Sequence, residues 1–322
     1  MIEVVRLPPV ATVQDLGRDG YWAQGLGRAG AMDPLAHRLA NLLLGNDEGA
    51  ATLEIPLTPA TFLFPVRQAF ALVGSACGAR LDGRALPRAW AGMAEAGAVL
   101  ELGGMAGGAR CYLALPGGID VTPVLGSRST QLREAFGGHD GRVLAPGDVL
   151  RAMAEATPLP SGGLSALLPA LREGDAIVLR ALPSSEHDSF TDAARRAFWE
   201  SPYRVTRQSN RQGYRLEGAD LARVGDGELR SHGIVPGIVQ VPSGGQPIIQ
   251  LADSATMGGY PKIAAVIEPD LWRLGQARPG DALRFVRTTP EEARDAETAQ
   301  REWLDEVRAD LAKVRMQQDG WS

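Results

Sequence analysis

Short apolar runs, separated by turns that contain glycine or proline, recur along most of the chain. Runs of this length and spacing are typical of strands in all-β barrels and sandwiches. We predict strands at residues 4–5, 61–64, 69–73, 98–102, 111–115, 177–182, 237–241, 247–251 and 283–286. The pattern therefore predicts a mostly β protein.

Three segments show apolar positions at helical spacing. The first begins at the N-cap Asp33 and ends at Gly45, and we expect it to close one end of a barrel. The second covers residues 191–200 and the third covers residues 289–317, each opened by a threonine cap. The predicted apolar stripe of the third helix comprises Ala296, Trp303, Val307, Leu311 and Val314.

The pattern Pro-Gly-Asp-x-Leu-Arg occurs at residues 146–151 and again at 279–284. It indicates either two duplicated halves, each closed by a turn into a strand, or simply a favourable turn. The stretch 155–171 is the natural linker, with a boundary near residue 162. We predict an N-terminal β half at 1–162, a C-terminal β half at 163–288 and a C-terminal helix at 289–322.

Composition excludes several function classes. The chain has 33 Lys plus Arg against 38 Asp plus Glu and no basic block, which argues against nucleic-acid binding. Its two cysteines are too few and too far apart in sequence for a redox pair, a zinc knuckle or a disulfide framework, so we read them as small buried apolar residues. Because no apolar run approaches a membrane span, we expect a soluble, cytoplasmic protein.

Two motif-like features do not predict the chemistry that they suggest. Residues 25–30 match Gly-x-Gly-x-x-Gly, but a dinucleotide site needs a strand that leads in and a helix that opens within the motif. Here the helix cap, Asp33, comes too late. The four histidines show no metal-ligand spacing, so no metal site is predicted.

Candidate chemistry lies in the polar, glycine-rich run at 236–262. Its strands carry amides next to Gly-Gly turns, where backbone NH groups approach a ligand closely. Asp253 is either a turn cap or an acid that faces a ligand, and Lys262 is either a solvated charge or a ligand-binding cation. Gln240, Gln246 and Tyr260 are suited to orienting an amide.

Two other runs supply cations. Arg211 and Arg215 either contact a ligand or pair with a nearby acid. Arg128, flanked by hydroxyl groups that include Thr130, either binds a carboxylate or phosphate or forms a structural turn.

Several runs resemble the biotin-dependent carboxyltransferase family, also called allophanate hydrolase subunit 2. They are VQDLGRDGYWAQGLGRAGAMDP, ANLLLGN, ALPGGIDVTPVLGSRST, GGHDGRVLAPGD, NRQGYRLEG, VPGIVQVPSGGQPIIQLAD and GGYPKIAAVI, in the family's order from about residue 2 to 287. The resemblance implies two cyclophilin-like β-barrel halves. It also implies a partner, a homologous cyclophilin-like protein of the kind found as allophanate hydrolase subunit 1 or as the B-type component of 5-oxoprolinase.

The resemblance leaves three functions open. The first is a subunit of an ATP-dependent 5-oxoprolinase, which opens 5-oxoproline to glutamate with a partner subunit and uses ATP with Mg²⁺. The second is carboxyl transfer from carboxybiotin to urea or a related amide, with biotin carried in trans because the sequence shows no carrier segment. The third is a non-catalytic antagonist of a kinase inhibitor.

Under the first function, cations hold phosphate and substrate carboxylate, and an acid organises the transfer. Residues 253–257, Asp-Ser-Ala-Thr-Met, depart from the family's Asp-Arg-Gln-Thr-Thr, so positive charge beside Asp253 has to come from elsewhere. The predicted catalytic residues are Asp253, Lys262 and Arg211. The predicted substrate-binding residues are Arg215, Gln240, Gln246, Tyr260, Arg128 and Thr130.

Overall fold

The chain folds into two compact units. A computed structural model describes residues 1–57, 59–155, 159–225 and 229–319, with side chains up to residue 315. The first unit contains Met1–Arg18, Asp33–Pro169 and the chain from Arg301 on, and the second contains Asp19–Met32 and Ala170–Gln300. The division thus falls later than the predicted boundary near residue 162, whose linker includes residues 156–158 outside the described part.

The first unit contains two six-stranded antiparallel sheets. One has the order β11-β1-β4-β9-β6-β7 and the other β12-β8-β5-β10-β3-β2, where the strands are β1 Ile2–Arg6, β2 Thr12–Gln14, β3 Thr52–Pro56, β4 Ala60–Leu63, β5 Gln68–Ala76, β6 Arg80–Leu81, β7 Arg84–Ala85, β8 Trp90–Ala94, β9 Val99–Leu102, β10 Ala106–Ala114, β11 Val149–Leu150 and β12 Leu164–Ser165.

One apolar core joins the two sheets. Phe62 of β4 and Phe70 of β5 are both fully buried members of it. Cys77 and Cys111 also lie in this core, as predicted for small apolar residues, and both are free thiols. Their sulfur atoms are 3.7 Å apart, a proximity that their separation in sequence did not indicate.

Helix α1, Pro34–Leu44, confirms the first predicted helix. Asp33 accepts a hydrogen bond of 2.8 Å from the backbone NH of Ala36, and Gly45 ends the helix in the left-handed conformation. Such a φ favours glycine because it has no Cβ. The helix packs against the neighbouring strands β5, β8 and β10, so it covers a sheet face where an end plug was expected.

The second unit is built on a closed seven-stranded barrel, in the order β13-β20-β17-β18-β15-β14-β21. β13 and β21 pair in parallel and the other barrel pairs are antiparallel. A separate two-stranded sheet pairs β16 with β19. The strands are β13 Ala176–Pro183, β14 Tyr203–Val205, β15 Gly213–Glu217, β16 His232–Gly233, β17 Ile238–Gln240, β18 Ile248–Gln250, β19 Met257–Gly258, β20 Lys262–Val266 and β21 Ala282–Arg287.

Three further helices follow: α2 Asp192–Glu200, α3 Leu271–Gln276 and α4 Pro290–Asp319. α2 and α4 confirm the predicted helices, whereas α3, at six residues, is too short to show a periodic pattern. α2 packs on β21, where Phe198 stacks on Phe285 with ring centroids 4.5 Å apart. The predicted stripe of α4 is wrong at Val314, which is 41% exposed, because the neighbouring Arg315 side chain instead reaches the carbonyl groups at the end of α1.

The two Pro-Gly-Asp turns have the same local structure. Asp148 and Asp281 each accept a 2.8 Å hydrogen bond from the backbone NH three residues earlier. Gly147 and Gly280 have φ of +92° and +93°. Each turn leads into a strand, β11 or β21, as predicted. The mostly β prediction is therefore confirmed, and none of the described helices has the length and apolar character of a membrane span.

Candidate functional site

A buried lysine marks the candidate site in the second unit. Lys262 is the first residue of β20, and its side chain is 3% exposed. Its Nζ contacts Nε2 of His232 and lies 3.7 Å from Oε2 of Glu186. The Lys262 backbone NH also donates to Glu186 Oε2 at 3.0 Å. An amine, an imidazole and a carboxylate therefore meet at one place; we call these three residues the Lys262 cluster.

Strand pairing brings the cluster together. Glu186 follows β13, which pairs with β20 in the barrel. His232 lies on β16, whose partner β19 precedes β20 by a short turn. The Ser185 hydroxyl donates to Glu186 Oε1 at 2.7 Å and helps to fix the carboxylate. The members come from distant parts of the sequence, so only the fold makes them neighbours.

Burial sets the electrostatics of this cluster. Desolvation of the ammonium group lowers the pKa of Lys262 below its ordinary value, and the nearby Glu186 carboxylate partly opposes that effect. The amine is thereby moved toward the range in which it can exchange a proton.

A chain of amides lies next to the cluster. Gln240 is the cross-strand partner of Lys262 in the β17–β20 ladder and is buried. Its amide nitrogen donates to the Tyr260 carbonyl at 3.3 Å, and its oxygen accepts from Gln250 at 2.9 Å. A Cβ at Gly258 would lie 2.5 Å from the Gln240 nitrogen, so this close approach requires glycine.

Arg211 and Asp253, both predicted as catalytic, form an ion pair with each other. Arg211 Nε donates to Asp253 Oδ2 at 2.8 Å, and Nη2 donates to Oδ1 at 3.0 Å and to the Gly30 carbonyl at 2.7 Å. The side chains are 11% and 7% exposed. Arg211 therefore supplies the positive charge that the altered 253–257 run lacks, and the pair also ties the 19–32 segment to the rest of the second unit.

The other predicted residues of this unit lie outside the Lys262 cluster. Arg215 on β15 is exposed. Gln246 accepts from the Gly218 NH at 2.9 Å and donates to the Gly218 carbonyl at 3.2 Å, so it holds a loop. The Tyr260 side chain is 51% exposed, and its contact with Gln240 is through the backbone.

The polar run that contains Arg128 and Thr130 does bind a carboxylate, but it is that of Asp15. Asp15 Oδ1 accepts from the hydroxyl groups of Ser127 at 2.7 Å and Ser129 at 2.6 Å. Oδ2 accepts from the Arg128 backbone NH at 2.5 Å, while the Arg128 guanidinium donates to a backbone carbonyl. Thr130, fully buried, donates to the Val13 carbonyl at 2.9 Å. In this first unit these residues join two loops of the chain.

The glycine-rich motif at 25–30 behaves as its sequence context predicts. A short 3₁₀ helix, Trp22–Gln24, precedes it, and α1 begins only at Pro34. Within the described part of the chain, no group of three or more His, Cys, Asp or Glu side chains is placed to hold a metal ion.

The model of the carboxyltransferase domain family, subdomain A and B, matches residues 24–287. The chain belongs to this family. It is 43% identical over 308 residues to the C-type component of Escherichia coli 5-oxoprolinase, a match that covers 95% of this chain and 97% of that protein. It is 37% identical to the C-type component of Haemophilus influenzae 5-oxoprolinase, over 96% of this chain and 98% of that protein.

Larger members of the carboxyltransferase domain family contain the same fold. The chain is 33% identical to urea amidolyase of Saccharomyces cerevisiae over 92% of its length, but the match spans 17% of that protein. The structure of Kluyveromyces lactis urea carboxylase aligns with a TM-score of 0.87 at 30% identity, covering 95% of this chain and 29% of that one.

Sequence reasoning missed Glu186 and His232. Glu186 follows the β13 run in the polar stretch Ser-Ser-Glu-His, which marks a strand end but names no partner. His232 had been considered only for metal-ligand spacing. Contacts between residues 30 to 76 positions apart leave no local pattern.

Proposed function

We propose that this chain is a subunit of a 5-oxoprolinase, which opens the lactam ring of 5-oxoproline to give glutamate and acts together with partner subunits. The observation that carries the proposal is the 43% identity to the C-type component of E. coli 5-oxoprolinase, which extends over nearly the whole of both chains. A match of this extent leaves little room for a different domain composition.

The Lys262 cluster supplies chemistry that ring opening needs. Breaking the lactam C–N bond requires a proton on the leaving nitrogen, and a positioned acid–base group lowers that barrier. A buried amine beside an imidazole and a carboxylate can provide one. The Arg211–Asp253 pair and the Gln240 amide then keep the surrounding loops in place.

ATP is the co-substrate that the resemblance implies, and the groove beside α2 does not fit it. The groove encloses about 490 Å³ and is lined by Ser184, His187 and Trp199 together with charged side chains. Those charged residues balance: Arg195, Arg196 and Arg287 against Asp188, Asp192 and Glu200. A polyphosphate is attracted by net positive charge. We therefore propose that ATP is bound by a partner subunit and that ATP titrated into this chain alone releases no binding heat.

Reconstitution tests the proposed function. Glutamate release from 5-oxoproline and ATP is measured with this chain and its cognate partner subunits, and again with this chain omitted. Release that depends on this chain supports the proposal. If the subunits associate and the complete mixture releases no glutamate, the proposal is wrong.

Carboxyl transfer to urea is the second candidate, favoured by the 33% identity to yeast urea amidolyase. It needs a biotin carrier supplied in trans. Carboxylation of urea by carboxybiotin in the presence of this chain, without glutamate release, would support this candidate over the first.

A further inference from the structure

The lysine usage of the chain singles out residue 262. Of its 33 basic residues, 31 are arginine and only Lys262 and Lys313 are lysine. Lys313 lies on α4 with its side chain 67% exposed, paired with Asp310. The buried position in the barrel therefore holds an amine in a chain that otherwise uses arginine.

An amine and a guanidinium differ chemically in one respect that matters here. Arginine keeps its proton in proteins, whereas a buried lysine readily releases it. A lysine at position 262 is thus able to give up and regain a proton, which an arginine paired with the same carboxylate would not do.

The contacts of His232 give the proton a direction. Nδ1 lies 2.9 Å from the Arg230 carbonyl, which can only accept, so Nδ1 carries the hydrogen. Nε2 therefore presents its lone pair to Nζ of Lys262. This assignment leaves Lys262 as donor and His232 as acceptor.

Exposure increases along the same path. The Lys262 side chain is 3% exposed, that of Glu186 16% and that of His232 41%. Lys262 is screened from solvent, and the imidazole ring is the member of the cluster that solvent or a substrate can reach.

We propose that Glu186, Lys262 and His232 form a proton relay whose exposed end is His232. His232 acts as the catalytic residue, and Lys262 and Glu186 are positioning residues behind it. This assignment changes the role predicted for Lys262 and rests on the proposed function for its substrate, a lactam.

The relay balances in protons. The Nδ1–H bond of His232 breaks as its proton passes to the lactam nitrogen, whose C–N bond breaks. Nε2 takes a proton from the Lys262 ammonium group, which becomes a neutral amine and later regains a proton from water. Glu186, 3.7 Å from Nζ and 3.5 Å from Nε2, faces both groups and stabilises whichever one carries the charge. Among the described residues, Glu186 is the charged group that acts on the Lys262 amine.

The first test uses the isolated chain and needs no activity. Protein labelled with ¹³C at the lysine Cε gives two side-chain signals, and Lys313→Arg assigns them. The relay predicts that Lys262 titrates below Lys313, whose pKa the Asp310 carboxylate raises. Glu186→Gln lowers the Lys262 midpoint further. Titration of both lysines together at the ordinary value would overturn the proposal, even if the chain proves to have another function.

The second test uses the reconstituted enzyme. Lys262→Arg keeps the charge but not the exchange, so the rate of glutamate release falls by about 100-fold or more, while Lys313→Arg leaves it unchanged. His232→Ala is inactive at first and regains activity with added imidazole. Full activity of Lys262→Arg, or no rescue by imidazole in a folded His232→Ala protein, would refute the relay. Absence of wild-type activity would instead refute the proposed function.

Discussion

Arg211 holds Asp253 through two hydrogen bonds, Nε to Oδ2 at 2.8 Å and Nη2 to Oδ1 at 3.0 Å, in a place where neither side chain is more than 11% exposed. The two charges are largely removed from water, so each depends on the other for compensation. The pair also binds the Gly30 carbonyl and thereby connects three segments of the second unit.

Breaking this pair one residue at a time should destabilise the fold. Arg211→Met and Asp253→Leu are each expected to lower the free energy of unfolding by about 3–5 kcal/mol, because each leaves a buried charge uncompensated. The double variant should recover much of that loss. Urea denaturation of the four proteins measures the coupling, and additive losses in the double variant would contradict the pairing.

Local signals carried much of the fold into the sequence prediction. The N-cap Asp33 and the turn glycines Gly147 and Gly280 act within a few residues, so they specify a helix start or a strand entry without help from the rest of the chain. Helix α3 and the attachment of residues 19–32 to the second unit depend on tertiary contacts, and no local pattern indicated them.

The candidate site was predictable only in part, for the same reason. The run 236–262 pointed to Gln240 and Lys262, which the β17–β20 ladder places opposite each other. Glu186 and His232 reach Lys262 through strand pairing, which residue spacing does not reveal. The hydroxyl-rich run around Arg128 was correctly read as suited to a carboxylate, but not as the receptor for Asp15.

The Asp15 contacts predict a contrast between neighbouring residues. Ser129→Ala removes a hydroxyl donor to a buried carboxylate and should cost about 1.5–3 kcal/mol of stability. Arg128→Ala keeps the backbone NH that binds Asp15 and should cost less. Thermal and urea unfolding of the two variants compares them. An Arg128→Ala protein that is the less stable of the two would show that the guanidinium matters more than this geometry indicates.

Stability should decline as the solution is acidified, through His37. This histidine is fully buried, with Nδ1 2.9 Å from Thr52 Oγ1, and burial lowers its pKa from 6.5 to about 4. Between these values the unfolded chain binds a proton that the folded chain does not, so stability is lost as pH falls from 6.5 to 4. The loss amounts to about 3 kcal/mol.

Comparison with His37→Gln isolates this contribution. Its free energy of unfolding should change less between pH 7 and pH 4.5 than that of the wild type, when both are measured by urea denaturation. Parallel pH profiles for the two proteins would exclude His37 as the source.

The buried amine should lower stability while serving function. Lys262→Met removes a group whose charged form is disfavoured by burial and keeps the backbone bond to Glu186. We expect a melting temperature equal to or above that of the wild type, together with lost glutamate release. A large drop in melting temperature would mean that Lys262 serves the fold rather than the reaction.

The most direct test of the account is the rate of glutamate release from 5-oxoproline and ATP by the reconstituted subunits with wild-type chain, with Lys262→Arg chain and without the chain. The account predicts release with the wild type alone, with at most about one hundredth of that rate for Lys262→Arg. Equal rates in all three mixtures would contradict it, because neither the chain nor its buried lysine would then be needed for ring opening.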